Sequence, residues 1–203
     1  MKASMKILAA LVAASVTGSV IHAADATLRI NDKGELQRPL DFREWVFLTS
    51  GLGMTYGPNR TPPGQAQNFT NVFVNPGSYR EFMKTGRWPD GTFFVLEIRR
   101  GEENISINAG GRTQGAHVAL EAAVKDSKRY PDGGWAYFGF DGQNGLRDAV
   151  APFARTASCY SCHSRHGAVE WTFTQFYPQQ FEVAKQMGTV RSDYDPSRKL
   201  AQE

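Results

Sequence analysis

Short apolar runs rich in β-branched and aromatic residues recur along the chain, and Gly, Pro, Asn or Asp cuts each of them off. That pattern predicts strands at residues 43–50 (REWVFLTS), 69–75 (FTNVFVN), 92–100 (TFFVLEIRR), 103–110 (ENISINAG), 135–140 (WAYFGF) and 171–177 (WTFTQFY). Helical signals are fewer. In SYREFMKTG, Ser78 reads as an N-cap with Glu81 three residues later, a capping box, and Gly86 reads as the C′ residue. A second helix is expected from about Leu146 to about Ala157, and a third over QQFEVAKQMG (179–188), stopped at Gly188. The stretch GLGMTYGPNRTPPGQAQN (51–68) reads as a long loop within one domain, because too little chain precedes it to build a core. Together these elements predict an α+β fold, a mainly antiparallel β-sheet with a few helices at one end or face.

The first 23 residues follow a different plan. MKASMK supplies two lysines, ILAALVAASVTGSVI a short apolar run, and IHAADA small residues at a cleavage point, which is the layout of a secretory signal peptide. Cleavage is expected after Ala23, with Ala24 the alternative, leaving one domain over 24–203. The apolar run is short for a bilayer span, and Gly18 and the serines weaken it further; an uncleaved anchor is the competing reading. The segment also changes the charge picture. Without it Lys2 and Lys6 are gone and no acid is lost, so 21 basic residues face 20 acidic ones and the net charge is +1 rather than +3. No basic stripe remains to hold nucleic acid. No long apolar helix or heptad pattern follows residue 24, so no stable membrane insertion is expected after cleavage. The style of the signal points to the periplasm.

Both cysteines of the chain stand in TASCYSCHSRHGAVEW, as Cys159 and Cys162, with His163 and His166 after them. Cys-x-x-Cys-His is the attachment signal of c-type haem. Two thiols three positions apart each add to one vinyl group of the same haem, and the next residue places an imidazole beneath the iron. A thioredoxin-like disulfide expects its motif early, after a strand and opening a helix. A structural zinc needs four ligands, and His117 is the only other histidine after residue 24. One covalently attached haem c is therefore expected, with His163 as the axial iron ligand, and export agrees because c-type haem is attached outside the cytoplasm. His166, about one helical turn further on, cannot easily reach the other face of the same ring and is expected at the surface or in a supporting place.

What faces the iron on its other side is less direct. An electron carrier would offer a methionine as sixth ligand. After His163 only Met187 remains; Met54 falls in the predicted loop, and Met83, at helical spacing with Tyr79, reads as core. His117, in GAHVALEAAV, reads as a satisfied residue of the sheet or helix region. The iron is thus expected to be five-coordinate, open to small ligands such as NO, CO, peroxide or hydroxylamine.

Five stretches, NDKGELQRPLDFREWVF, VFVNPGSYREFMKTGRWPDGTF, ALEAAVKDSKRYPDGGWAYF, CYSCH and FTQFYP, run in this order from about Asn31 to about Pro178. They resemble the cytochrome P-460 family. The resemblance implies an antiparallel sheet with a few helices, one haem c held through a C-terminal motif, and usually a homodimer. Its members include cytochrome P-460 itself, which oxidises hydroxylamine, and the cytochromes c′-beta, which bind nitric oxide. Carried over by motif, Cys159 and Cys162 are the haem attachments and His163 the proximal ligand. In the hydroxylamine-oxidising relatives a lysine on the strand after the TGxxxDG turn links to the haem, and an arginine stands two residues before the VFV run. The matching residues here are Leu96 and Thr70, and no lysine occurs between Lys84 and Lys125. The chain therefore looks closer to the c′-beta type. Leu96, with Phe94 on the same strand face, would form an apolar cap that favours a neutral diatomic over anions or water. Thr70, Phe94 and Leu96 are the expected lining of the distal pocket; the plainer alternative is that Phe94 and Leu96 are core.

The leading expectation is a periplasmic mono-haem c cytochrome that binds nitric oxide or a similar small ligand at an open distal site. The alternative is an oxidoreductase acting on hydroxylamine, nitric oxide or peroxide. It would need a polar distal group from elsewhere, with Glu170 the first candidate and Glu97 and His166 behind it. A plain electron carrier would need a sixth protein ligand that the sequence does not reveal. Expected partners are the small nitrogen-oxide or gaseous ligand, a redox-partner cytochrome and a second copy of the chain.

Overall fold

The computed structural model describes residues 28–56, 62 and 65–197; the predicted signal segment, 1–23, lies outside them. Among the described residues no helix is long and apolar enough to cross a membrane. The chain runs β1 (Leu36–Gln37), β2 (Val46–Leu52), β3 (Asn68–Val74), α1 (Pro76–Thr85), β4 (Phe93–Glu102), β5 (Thr113–Lys125), β6 (Trp135–Gly139), β7 (Asp141–Gly142), β8 (Gly145–Leu146), β9 (Ala149–Val150), α2 (Ser158–His166) and α3 (Pro178–Gln186). Short 3₁₀ helices cover Phe42–Glu44 and Thr174–Phe176. Strands β2 to β6 form one antiparallel meander in sequence order, as the α+β prediction requires.

Register sorts the sheet into two faces, since paired residues on adjacent strands point the same way. On the first face Phe93, Val95, Leu120, Val124 and Phe138 pack with Leu36, Phe42, Trp45 and Val150. That layer is closed by β1 paired to β9 and by the Phe42–Glu44 helix. On the second face Val74, Phe94, Trp135 and Tyr137 meet Phe82 of α1, Tyr160 of α2 and Ala184 of α3. All three helices therefore cover one face, and the site lies beneath them.

Four expectations need correction. Residues 103–110 turn rather than extend, with Asn104 and Ser106 at φ 56° and 55°, left-handed values that no strand tolerates. Residues 171–177 are a tight turn and a 3₁₀ helix, opened by Trp171 at φ 64°. No helix fills 146–157. Val150 is instead recruited opposite Leu36, the Phe153 N–H bonds the Tyr137 carbonyl, and Pro152 lies between them, so helix begins only at Ser158. The cysteines thus lie inside α2 rather than following a helix. Finally α1 starts at Pro76, with Asn75 before it, and Ser78 is buried in its first turn instead of capping it. GAHVALEAAV, rich in helix formers, is the heart of the 13-residue strand β5. Pairing with β4 along its length and burial of Leu120, Ala122 and Val124 override its propensity.

Asn75 explains the early start of α1. Its side-chain oxygen accepts the Phe93 N–H at 2.9 Å and its amide nitrogen donates to the Gly91 carbonyl at 3.2 Å, tying the helix to the head of β4. Gly86, at φ 67°, ends the helix as expected. Asn75→Ala would leave the buried Phe93 N–H without that acceptor, and is expected to lower the stability of the haem-loaded protein by about 1–3 kcal/mol, read as a drop in its thermal midpoint.

Candidate haem site

Cys159 and Cys162 are three residues apart on α2 and so share one side of it; both are free thiols and half-buried. His163 follows, its ring held between Tyr137 (centroids 4.3 Å apart) and Phe173 (4.4 Å). Its Nδ1 lies 2.9 Å from the Trp171 carbonyl. A carbonyl can only accept, so Nδ1 carries the proton and Nε2 keeps a free lone pair. Burial pulls the imidazole pKa down to about 4, against the opposing effect of that hydrogen bond, so the ring is neutral near pH 7. A neutral imidazole oriented through its second nitrogen is the state that metal ligation requires.

The Trp171 carbonyl is held in place by an unusual backbone. Glu170 and Trp171 are consecutive non-glycine residues at φ 46° and 64°, a costly conformation for a bulky side chain. Two contacts over-determine it. The Glu170 carboxylate accepts the Trp88 N–H at 2.9 Å and pairs with Lys125 at 3.2 Å and Arg87 at 3.6 Å. The Trp171 indole packs over Gly133, where any Cβ would collide with it. Glu170, the first sequence candidate for a distal catalytic group, is therefore not part of the cavity wall. It clamps the turn that orients His163.

Between α2 and the second sheet face lies a cavity of about 420 Å³. His163 and both cysteines line it, and so do the three expected pocket residues Thr70, Phe94 and Leu96. Phe94 also packs against Trp88, Trp135 and Tyr177, so the core and pocket readings of that residue both hold. The structure adds Glu121 and Met54, which the sequence gave no reason to place here. Glu121 sits directly across from Leu96 in the β4–β5 register and has no hydrogen-bond or ion-pair partner among the described residues. Its side chain is accessible to solvent, yet its apolar surroundings, and after them Asp141, raise its carboxyl above the usual range.

The remaining candidates lie elsewhere. Glu97 is buried on the opposite sheet face, paired with Arg43 and with Arg99 at 3.1 Å. His166 lines a smaller neighbouring cavity of about 210 Å³. His117 meets Asp141 at 3.1 Å on the outer part of β5. Met187 is exposed, and Met83 lies against Gln180 of α3, as core packing predicts.

Two thiols, an imidazole with a free Nε2 and an apolar cavity of a few hundred cubic ångströms fit a haem held by two thioethers. The indole N–H of Trp135 is buried and has no hydrogen-bond partner among the described residues. As a clamp, Glu170 should matter to stability: Glu170→Ala is expected to destabilise the haem-loaded protein by about 1–3 kcal/mol, and Glu170→Gln, which still accepts the Trp88 N–H, by less. Thermal unfolding of the two variants side by side checks both halves.

No curated protein matches the chain. The model of the cytochrome P460 family matches residues 39–174, more than half of the chain. That span takes in the whole five-stranded sheet, α2 and the Glu170–Trp171 turn. The chain belongs to the cytochrome P460 family, and with it to the haem c cytochromes.

Proposed function

We propose that the protein is an exported mono-haem c cytochrome of the c′-beta type, which binds nitric oxide or a similarly small ligand on the haem face turned away from His163. The observation that carries this reading is the wall built by Val72, Phe94 and Leu96, with Leu96 where the hydroxylamine-oxidising relatives would have lysine. The bound haem supplies the iron that takes the ligand. The thiols of Cys159 and Cys162 anchor the ring, and His163 offers Nε2 while the Trp171 carbonyl holds its tautomer. Tyr137 and Phe173 restrict rotation of the imidazole. Val72, Phe94 and Leu96 exclude water and present no donor, which penalises an anion more than a neutral diatomic. The signal-like segment 1–23 and the chemistry of c-type haem attachment support export, and the family resemblance supports a homodimer.

Titration of the ferrous protein with nitric oxide is expected to reach one equivalent per haem; no spectral change would remove this reading. Leu96→Gln, which puts an amide donor on the wall, is expected to strengthen azide binding about tenfold relative to nitric oxide.

Glu121 favours a second reading, an oxidoreductase of hydroxylamine or peroxide. A carboxylate that faces the cavity and has no hydrogen-bond or ion-pair partner among the described residues can take a proton from a bound substrate or return one. On that reading Glu121→Gln lowers hydroxylamine turnover with an artificial acceptor by about 10²-fold. Absence of turnover in the unaltered protein leaves the binding function.

A further inference from the structure

We propose that the Tyr137 hydroxyl sets the donor strength of His163. By sharing the Trp171 carbonyl with Nδ1, it limits how much negative charge that carbonyl draws onto the imidazole, and so keeps the haem more easily reduced than Nδ1 alone on that oxygen would allow. The proposal deepens the haem c reading above and rests on it.

A backbone carbonyl has two lone pairs, and two donors reach the one at Trp171. His163 Nδ1 lies 2.9 Å from it, and the Tyr137 hydroxyl donates to it at 3.4 Å. Tyr137 is 5 % exposed, and among the described residues that carbonyl is the only hydrogen-bond partner of its hydroxyl. Strand β6 brings the two side chains together. Tyr137 pairs with Ala123 on the cavity side of the sheet, its ring 4.3 Å from the imidazole and edge-on to Tyr160 at 5.0 Å. A phenylalanine would fill the same space. What the tyrosine adds is a proton on the one backbone oxygen that orients His163.

The carbonyl does not depend on the hydroxyl for its place. Glu170 and the indole seated on Gly133 hold the turn. Gly167 then lets the turn come close to the end of α2. Its φ of −65° would suit any residue, but a Cβ there would stand 2.7 Å from the Trp171 carbonyl carbon. Without the hydroxyl the oxygen therefore stays in position, with one donor instead of two.

A hydrogen bond from Nδ1 shifts charge onto the ring and makes Nε2 a stronger donor to a metal. A stronger donor favours ferric over ferrous iron. A second donor on the same oxygen takes up part of its negative charge and weakens the first bond. The contact at 3.4 Å is long, so the hydroxyl moderates the pull on the imidazole without displacing Nδ1. Tyr137 acts in this way through the carbonyl and the imidazole, as a positioning residue.

The test uses the haem-loaded protein. In Tyr137→Phe the iron–imidazole stretch, read by resonance Raman on the ferrous protein, should move to higher frequency, and the midpoint potential should fall. Tyr160→Phe is the control. Tyr160 is also 5 % exposed, but its hydroxyl donates to the Phe153 carbonyl at 3.1 Å. That variant should lose stability and leave stretch and potential unchanged. 3-Fluorotyrosine in place of Tyr137, similar in size and a stronger donor, should move both readings the opposite way, and it decides the matter where the phenylalanine variant does not fold. Readings unmoved in the Tyr137 variants, or shifted alike in Tyr160→Phe, overturn the proposal. So does a lower frequency in Tyr137→Phe, the mark of a loosened carbonyl. A denatured haem spectrum and an intact mass accompany these measurements. A chain without a haem on two thioethers would defeat the haem c reading itself, whereas a normal haem c indifferent to Tyr137→Phe would defeat only the role of the hydroxyl.

Discussion

Pairing register in the central sheet governs nearly everything else, because a slip of one residue would carry a whole strand's side chains to the opposite face. Val72, Leu96, Glu121 and Gly139 stand in one row across four strands, and Val74, Phe94, Ala123 and Tyr137 in the next. All but Val74 and Gly139 of these residues line the cavity. Their neighbours one residue away form the sealed core on the other side. The row also explains Gly139, whose missing Cβ leaves room for the Phe153 ring that borders the cavity. The β-bulge between Phe47 and Thr49 resets β2 so that Thr49 and Gly51 fall on the cavity side, opposite Val72 and Thr70.

On the helix side, order depends on a conformation that would be unfavourable by itself. Left-handed backbone at Glu170 and Trp171 persists because a carboxylate held by a backbone N–H and two cations, and an indole seated on a glycine, outweigh the strain. The gain is one carbonyl aimed at Nδ1 of His163. Glu170 therefore acts on the site through the backbone, from outside the cavity lining.

The cavity lining carries three groups with different chemical meaning. Leu96 withholds the nitrogen that a lysine would offer, Glu121 brings a carboxylate beside it, and Met54 brings a thioether over Thr70. An apolar wall suits ligand binding, whereas a carboxylate on the same lining suits proton transfer during turnover.

Cofactor chemistry was legible in one line of sequence, because Cys159, Cys162 and His163 are local: a helix brings i and i+3 to one side whatever surrounds it. The strands at 43–50, 69–75, 92–100 and 135–140 were legible for a similar reason, since branched and aromatic composition ending at turn residues reports a half-buried surface. Thr70, Phe94 and Leu96 could be named through the family resemblance and period two. Glu121 could not, since its placement depends on which residue of β5 faces Leu96, and that register is a tertiary fact. Met54 reads as a loop residue in any window. It enters the cavity only because Gly53 turns the chain, Gly51 clears the space and Thr70 is paired beside it. Sequence by itself thus determined the haem-binding segment and the class of fold. Which groups share the cavity with His163 was decided by strand pairing, because contacts between residues far apart in the chain leave no periodic trace along it.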